Sequence, residues 1–271
     1  MTVVVKIGGA RAVDPSGALA DVADVDDDVV VVHGGSTAVD DLLDRLDIEP
    51  TYVETPDGVV GRFTDAETME AFTMAMSAVN TDLVAGLQNE GVDAVGLSGV
   101  DGRLLTGPRK SAVRVVEDGT KKIKRGDHSG AIRDVNTDLL ETLLADHVPV
   151  VGPPMLGDDD GDWLPVNSDA DRAAAAIAGA LDASLVVLTD VPGLLRDVDD
   201  GDSLIERVDS PDALREARTA AEGFMGKKVM AAEEALEGGA TRVVVASANA
   251  DAPIGAALSG AGTTFTPDCI S

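Results

Sequence analysis

The sequence predicts an α/β protein, an αβα sandwich built around a mostly parallel open sheet and divided into two lobes. Three observations carry that expectation. Apolar runs at 3–7, 29–32, 94–97, 148–151, 184–188 and 243–246 are Val-rich and continuous apart from Lys6, as strands covered on both faces require. Helical patterns alternate with these runs, the arrangement that produces parallel sheets. The first two runs each end in a glycine pair, Lys6-Ile7-Gly8-Gly9 and His33-Gly34-Gly35-Ser36, and ligands of parallel sheets collect at such strand ends.

In chain order, residues 37–46 place Val39, Leu42, Leu43 and Leu46 on one helical face. Residues 65–89 do the same with Met69, Phe72, Met76, Val79, Leu83 and Leu87. The segment from about 101 to 133 breaks the rhythm and reads as a hairpin-like excursion from the sheet. The acidic run 157–162 and the stretch 197–202 read as turns or loops, and neither has the spacing of a calcium loop. The Ala-rich stretch 171–181 and residues 228–237 read as helices.

The formal net charge is −28, with 36 aspartates against 13 glutamates and 7 lysines, which suggests a cytoplasmic protein of a salt-loving microbe. Such a balance argues against nucleic-acid binding, which needs a basic footprint. No uncharged stretch approaches the ~20 residues that span a bilayer, and no cleavable leader is expected. The single cysteine, Cys269, excludes an internal disulfide, and there is no metal-binding cysteine cluster.

Neither G-x-x-x-x-G-K-[ST] nor a post-strand G-x-G-x-x-G occurs, which disfavours P-loop enzymes and nicotinamide dehydrogenases. What remains is dispersed: Lys6-x-Gly8-Gly9, His33-Gly34-Gly35-Ser36, Arg62, Asn167-Ser168-Asp169-Ala170-Asp171-Arg172, Thr189-Asp190-Val191-Pro192-Gly193-Leu194 and Met225-Gly226-Lys227-Lys228. In kind and order these motifs resemble the amino acid kinase family, most closely its acetylglutamate-kinase branch, over nearly the whole chain.

The resemblance implies that residues 1–271 form one amino acid kinase domain. An N-lobe of about 1–165 would bind the amino acid, and a C-lobe of about 166–271 the nucleotide. It implies transfer of the γ-phosphoryl of ATP, with Mg²⁺, to a side-chain carboxylate. A carboxylate is already ionised at neutral pH and needs no general base, only cations that offset its repulsion from the triphosphate. Lys6 and Lys228 would be those cations, with Asp171 orienting them. Gly8, Gly9, Gly34, Thr189, Asp190, Gly193 and Leu194 would hold the nucleotide, and Gly35, Ser36, Arg62 and Asn167 the amino acid. No side-chain metal ligands are implied. Ser36 stands where the branch usually has a third glycine. The residues also allow simpler uses: Lys6 reaching past the sheet edge, Asp169 or Asp171 capping a helix, Lys227 replacing Lys228, and Arg62 pairing with Asp65 or Glu67.

Nine of the 21 basic residues lie between 103 and 133. Within this island the stretch 114–127 is similar to the segment that marks carrier-dependent members of the family, which act on an amino acid attached to LysW, a small acidic protein. Lys121, Lys122, Lys124 and Arg125 would dock that carrier; a solvated charged hairpin is the plainer alternative. The resemblance also implies a homodimer, for which the long helix 65–89 offers an apolar face that could equally be core.

Overall fold

The computed structural model describes residues 1–9, 14–56, 58, 60–117, 120–197, 199–221 and 224–271; Asp118 and Gly119 of the basic segment lie outside the described residues. The chain opens with β1 (Thr2–Ile7), α1 (Ser16–Asp24), β2 (Asp28–His33), α2 (Ser36–Arg45), β3 (Tyr52–Glu54), β4 (Val60–Arg62) and α3 (Ala66–Asn89). β5 (Ala94–Gly99), β6 (Leu105–Glu117), β7 (Thr120–Gly130), β8 (Asp134–Val135), α4 (Thr137–Leu144), β9 (Val148–Asp159) and β10 (Asp162–Val166) follow. The remainder is α5 (Ala170–Ala180), β11 (Ser184–Thr189), β12 (Arg207–Val208), α6 (Pro211–Ala220), α7 (Phe224–Glu237), β13 (Arg242–Ser247), α8 (Pro253–Leu258) and β14 (Thr263–Phe265).

One sheet runs through the molecule in the order β12-β14-β13-β11-β1-β2-β9-β6-β7, with β5 and β10 paired to β9 and β8 to β6. Its centre, β13-β11-β1-β2-β9, is parallel throughout. Registers match Ile7 with His33, Ile7 with Leu188, and Thr189 with Ser247, so four strands end at one edge. The long hairpin β6–β7 leaves the sheet where the sequence predicts an excursion. The acidic run 157–162 holds the expected turn, at the tip of a hairpin: Asp158 and Asp159 finish β9, Asp162 starts β10, and Asp160-Gly161 turn with φ of 56° and 100°.

Strand alternation decides which side of the sheet each β1 residue faces. Val3, Val5 and Ile7 pack with Leu19, Leu83, Leu87 and Ile254 from α1, α3 and α8. Val4 belongs to the opposite cluster, with Ala173, Ala174 and Ile177 of α5 and Val229 and Ala232 of α7. Lys6 shares the face of Val4 and therefore points toward α5 and α7. Alanines along α5 let those two helices approach closely; a Cβ at Gly179 would lie 2.9 Å from the Gly238 carbonyl carbon.

The apolar face of α3 is core. Met69, Phe72 and Met76 pack on Val39 and Leu43 of α2, while Leu83 and Leu87 join the sheet cluster, so this face is not free for a second copy. Among the described residues no helix is long and apolar enough to cross a membrane.

Candidate active site

Asp169 starts α5 as its cap, accepting the amides of Asp171 and Arg172. Capping thus falls to Asp169, which leaves the Asp171 side chain, in the first helical turn, directed at the sheet edge. There Lys6 Nζ lies 2.6 Å from Asp171 Oδ1 and Lys228 Nζ 3.2 Å from Oδ2. All three residues are buried: Lys6, Asp171 and Lys228 are 5%, 8% and 9% exposed. Two residues far apart in sequence thus meet on one carboxylate. Lys227 instead lines the wall of a neighbouring cavity.

Burial acts to raise the Asp171 carboxyl, but the charges of Lys6 and Lys228 and their hydrogen bonds outweigh it and hold the group below the usual carboxylate range. Lys228 is lowered, first by burial and then by the charge of Lys6, against the pull of Asp171. Two buried cations share one buried anion. The excess positive charge is costly without a further anion, so the arrangement is built for a negative ligand. A lowered lysine loses its proton earlier as pH rises. The alkaline limb of kcat/KM, which reports the free enzyme, is therefore expected below the ordinary lysine range. Lys228→Arg should shift that limb upward, because a guanidinium stays charged; an unmoved limb would detach it from Lys228.

The glycine pairs form the next layer. Gly9 lies against the backbone of Gly34 and Gly35, and Thr37 N donates to Gly9 O at 3.4 Å. Gly35 precedes α2 with no side chain capping it, so helix amides and glycine backbone frame a cleft of about 270 Å³ lined by Gly8, Gly9, Gly34 and Gly35. His33, at the end of β2, is a structural residue. Its ring bonds Gly34 O and the Asn80 amide, and burial above all depresses its pKa to about 4.

Arg62 and Asn167 line a second cavity of about 720 Å³. Arg62 is paired with Asp40, not with Asp65 or Glu67, and it also donates to Ser36 O at 3.2 Å. Tyr52 donates to the same Asp40 oxygen at 3.0 Å. Asp65 caps α3 instead. Asn167 Nδ2 donates to Thr64 Oγ1 at 3.0 Å. Sequence reasoning missed Asp40 and Tyr52, because nothing in spacing signals an ion pair between α2 and a short hairpin.

Thr189 closes β11 beside β1, its hydroxyl donating to Asp190 Oδ1 and its carbonyl accepting from Ala248 N. Gly193 sits in the bend before Leu194. Leu194 does not fit the nucleotide-holding role expected of it. Its side chain is 1% exposed in the core, its amide donates to Thr263 Oγ1, and its carbonyl accepts from Ile205 N. Its one donor is thus already used.

The carrier-docking residues divide between the two faces of the hairpin. Residues paired across antiparallel strands share a face, so Arg114 with Ile123, Ala112 with Arg125 and Val116 with Lys121 form one side. Val113 with Lys124 and Val115 with Lys122 form the other. That second side faces the body of the protein: Val115 is 1% exposed, and Lys124 Nζ lies 4.4 Å from the Phe63 ring centre. Ile123, on the first side, is 65% exposed.

Among the described residues no group of three or more His, Cys, Asp or Glu could hold a metal ion. Two ammonium groups on one carboxylate, beside glycine-lined strand ends and an open helix N-terminus, define a phosphoryl-transfer site of the kinase type. Residues 1–247 match the Amino acid kinase family, and the chain belongs to that family. It is 43% identical over 270 residues to a [LysW]-aminoadipate kinase of Deinococcus radiodurans, covering 97% of this chain and 91% of that one. It is 35% identical over 267 residues to a [LysW]-aminoadipate/[LysW]-glutamate kinase of Saccharolobus islandicus, covering 97% and 98% respectively. An N-acetylglutamate synthase from Neisseria gonorrhoeae, solved with coenzyme A and N-acetyl-glutamate, superposes with a TM-score of 0.74 at 27% identity. That match covers 98% of this chain but 59% of the longer synthase.

Proposed function

We propose that the enzyme phosphorylates the distal carboxylate of glutamate or α-aminoadipate carried by its amino group on a LysW-like protein. A carboxylate oxygen attacks the γ-phosphorus of ATP, the bond to the β–γ bridging oxygen breaks, and ADP leaves an acyl phosphate behind. The observation that supports this most is the surplus buried cation formed by Lys6 and Lys228 around Asp171. These ammoniums would balance charge on the transferring group, with Gly8, Gly9 and Gly34 framing the phosphates. Thr189, Asp190 and Gly193 remain for the rest of the nucleotide, in a C-lobe of about 166–271. Mg²⁺ would arrive on the nucleotide's own oxygens. Gly35, Ser36, Arg62 and Asn167 would hold the amino acid in an N-lobe of about 1–165. Cytoplasmic location, suggested by the acidic composition, and a homodimer, implied by the family resemblance, belong to the same proposal.

Rates with carrier-linked glutamate, carrier-linked aminoadipate and free N-acetylglutamate test it. The carrier-linked forms should turn over and the free acid barely; equal rates would make the enzyme an acetylglutamate kinase. The carrier should dock on the outward hairpin face, where Arg114, Lys121 and Arg125 surround the exposed Ile123. Neutralising Lys121 and Arg125 together is then expected to weaken carrier binding at least tenfold at low salt. Neutralising Lys122 and Lys124 should weaken it less. The contrast should shrink at about 1 M salt, where screening reaches ~3 Å. Equal effects of the two pairs in a binding titration would remove the assignment to one face.

A further inference from the structure

Asp127 closes the basic segment and is 2% exposed, an acidic side chain buried at the foot of a charged hairpin. Its Oδ1 accepts the Thr64 amide at 3.2 Å, and its Oδ2 accepts the Ser129 amide at 3.3 Å and the Ser129 hydroxyl. Arg109 Nε and Nη2 donate to its carbonyl at 3.2 and 3.1 Å, while Arg109 Nη1 reaches Asp159 Oδ2 at 2.6 Å. Thr64 follows Arg62 by two residues. Around the carboxylate, His128 N donates to Thr64 O, Asn167 N to His128 O, and Gly130 N to Asn167 O.

Arg62 and Asn167 come from segments about a hundred positions apart, which meet through the Asn167–Thr64 hydrogen bond and through the return strand β7, whose backbone bonds to both. The same strand carries Lys121, Ile123 and Arg125 to the outward face. A buried carboxylate that accepts three donors from two segments fixes those segments against each other, since losing it leaves the donors unsatisfied. We infer that Asp127 is a positioning residue that couples the carrier-docking hairpin to the amino-acid pocket, holding Arg62 and Asn167 in register with a docked carrier. This rests on the proposed carrier-dependent function. It adds a distinct consequence: the carrier can dock without Asp127, but its amino acid cannot then be seated.

The test compares the affinity of the full-length enzyme for LysW-like carrier with and without the attached amino acid, in the absence of ATP. The ratio of the two dissociation constants reads the pocket alone, and a merely structural role would not move it selectively. For Asp127→Asn the ratio is expected to fall at least tenfold toward one, with the affinity for unloaded carrier within twofold of wild type. Ser129→Ala, which removes only the hydroxyl contact, should lower the ratio in the same direction by at least threefold and serves if Asp127→Asn does not fold. In an Arg62→Ala background the Asp127→Asn effect on the ratio should largely vanish. An unchanged ratio in both variants, or equal weakening of loaded and unloaded carrier, would overturn the coupling while leaving carrier dependence standing. A wild type that binds neither form of the carrier would overturn both.

Discussion

Replacing Lys6 by methionine, which keeps the buried stem and deletes the charge, is expected to lower kcat by roughly 10²- to 10³-fold, the usual effect of losing one electrostatic group at a developing charge. Stability should change little. Asp171 would retain Lys228 at 3.2 Å, so a balanced ion pair would remain where two cations now share one anion. Asp171→Ala should behave oppositely: it leaves two buried ammoniums facing each other, and breaking such a cluster costs about 3–5 kcal/mol of stability. Steady-state kinetics and thermal melting of the two variants side by side check both halves. A Lys6→Met enzyme with near-normal kcat, or one that melts as early as Asp171→Ala, would contradict the charge arrangement.

The second large effect is expected at Gly9. A Cβ there would lie 2.4 Å from Gly35 N, 2.6 Å from the Gly34 carbonyl carbon and 2.8 Å from Gly35 Cα. All three are backbone atoms at strand ends and cannot swing aside as the tip of a side chain would. Gly9→Ala must therefore spread β1 from β2, at about 1–3 kcal/mol of stability. It should also lower kcat/KM for ATP by roughly 10²-fold through lost phosphate positioning. Gly201→Ala, where nothing lies within 4 Å of the added carbon, is the control and should match wild type. Similar losses in the two variants would point to a general intolerance rather than to the strand-end cradle.

Much of this was legible before any coordinates, for identifiable reasons. Continuous valine runs marked the central strands because a parallel strand covered on both faces has no polar positions to confuse the pattern. The runs at 3–7 and 184–188 fall inside β1 and β11. Lys6 stood out because a charge inside such a run demands a partner, and the partner proved to be Asp171. Short elements escaped: β3, β4 and β12 are two or three residues long, too brief for a period of two to register. The division of the hairpin's lysines follows strand alternation, but which face packs on the body depends on distant partners such as Phe63, which spacing does not signal. Asp127 was equally hidden. Its donors come from Thr64 and Ser129, and no local spacing links positions 64 and 127.

The tight crossing of α5 and α7 has a consequence at a distance. Gly179 and Gly238 touch at the far end of α5, eight residues beyond Asp171, or about 12 Å along the helix axis. A rigid rod pinned at one end aims its other end. Bulk introduced at that remote crossing would tilt the rod and swing the carboxylate off the two ammoniums, so the aim of the reacting groups is calibrated where two helices touch, well along the axis from the carboxylate itself.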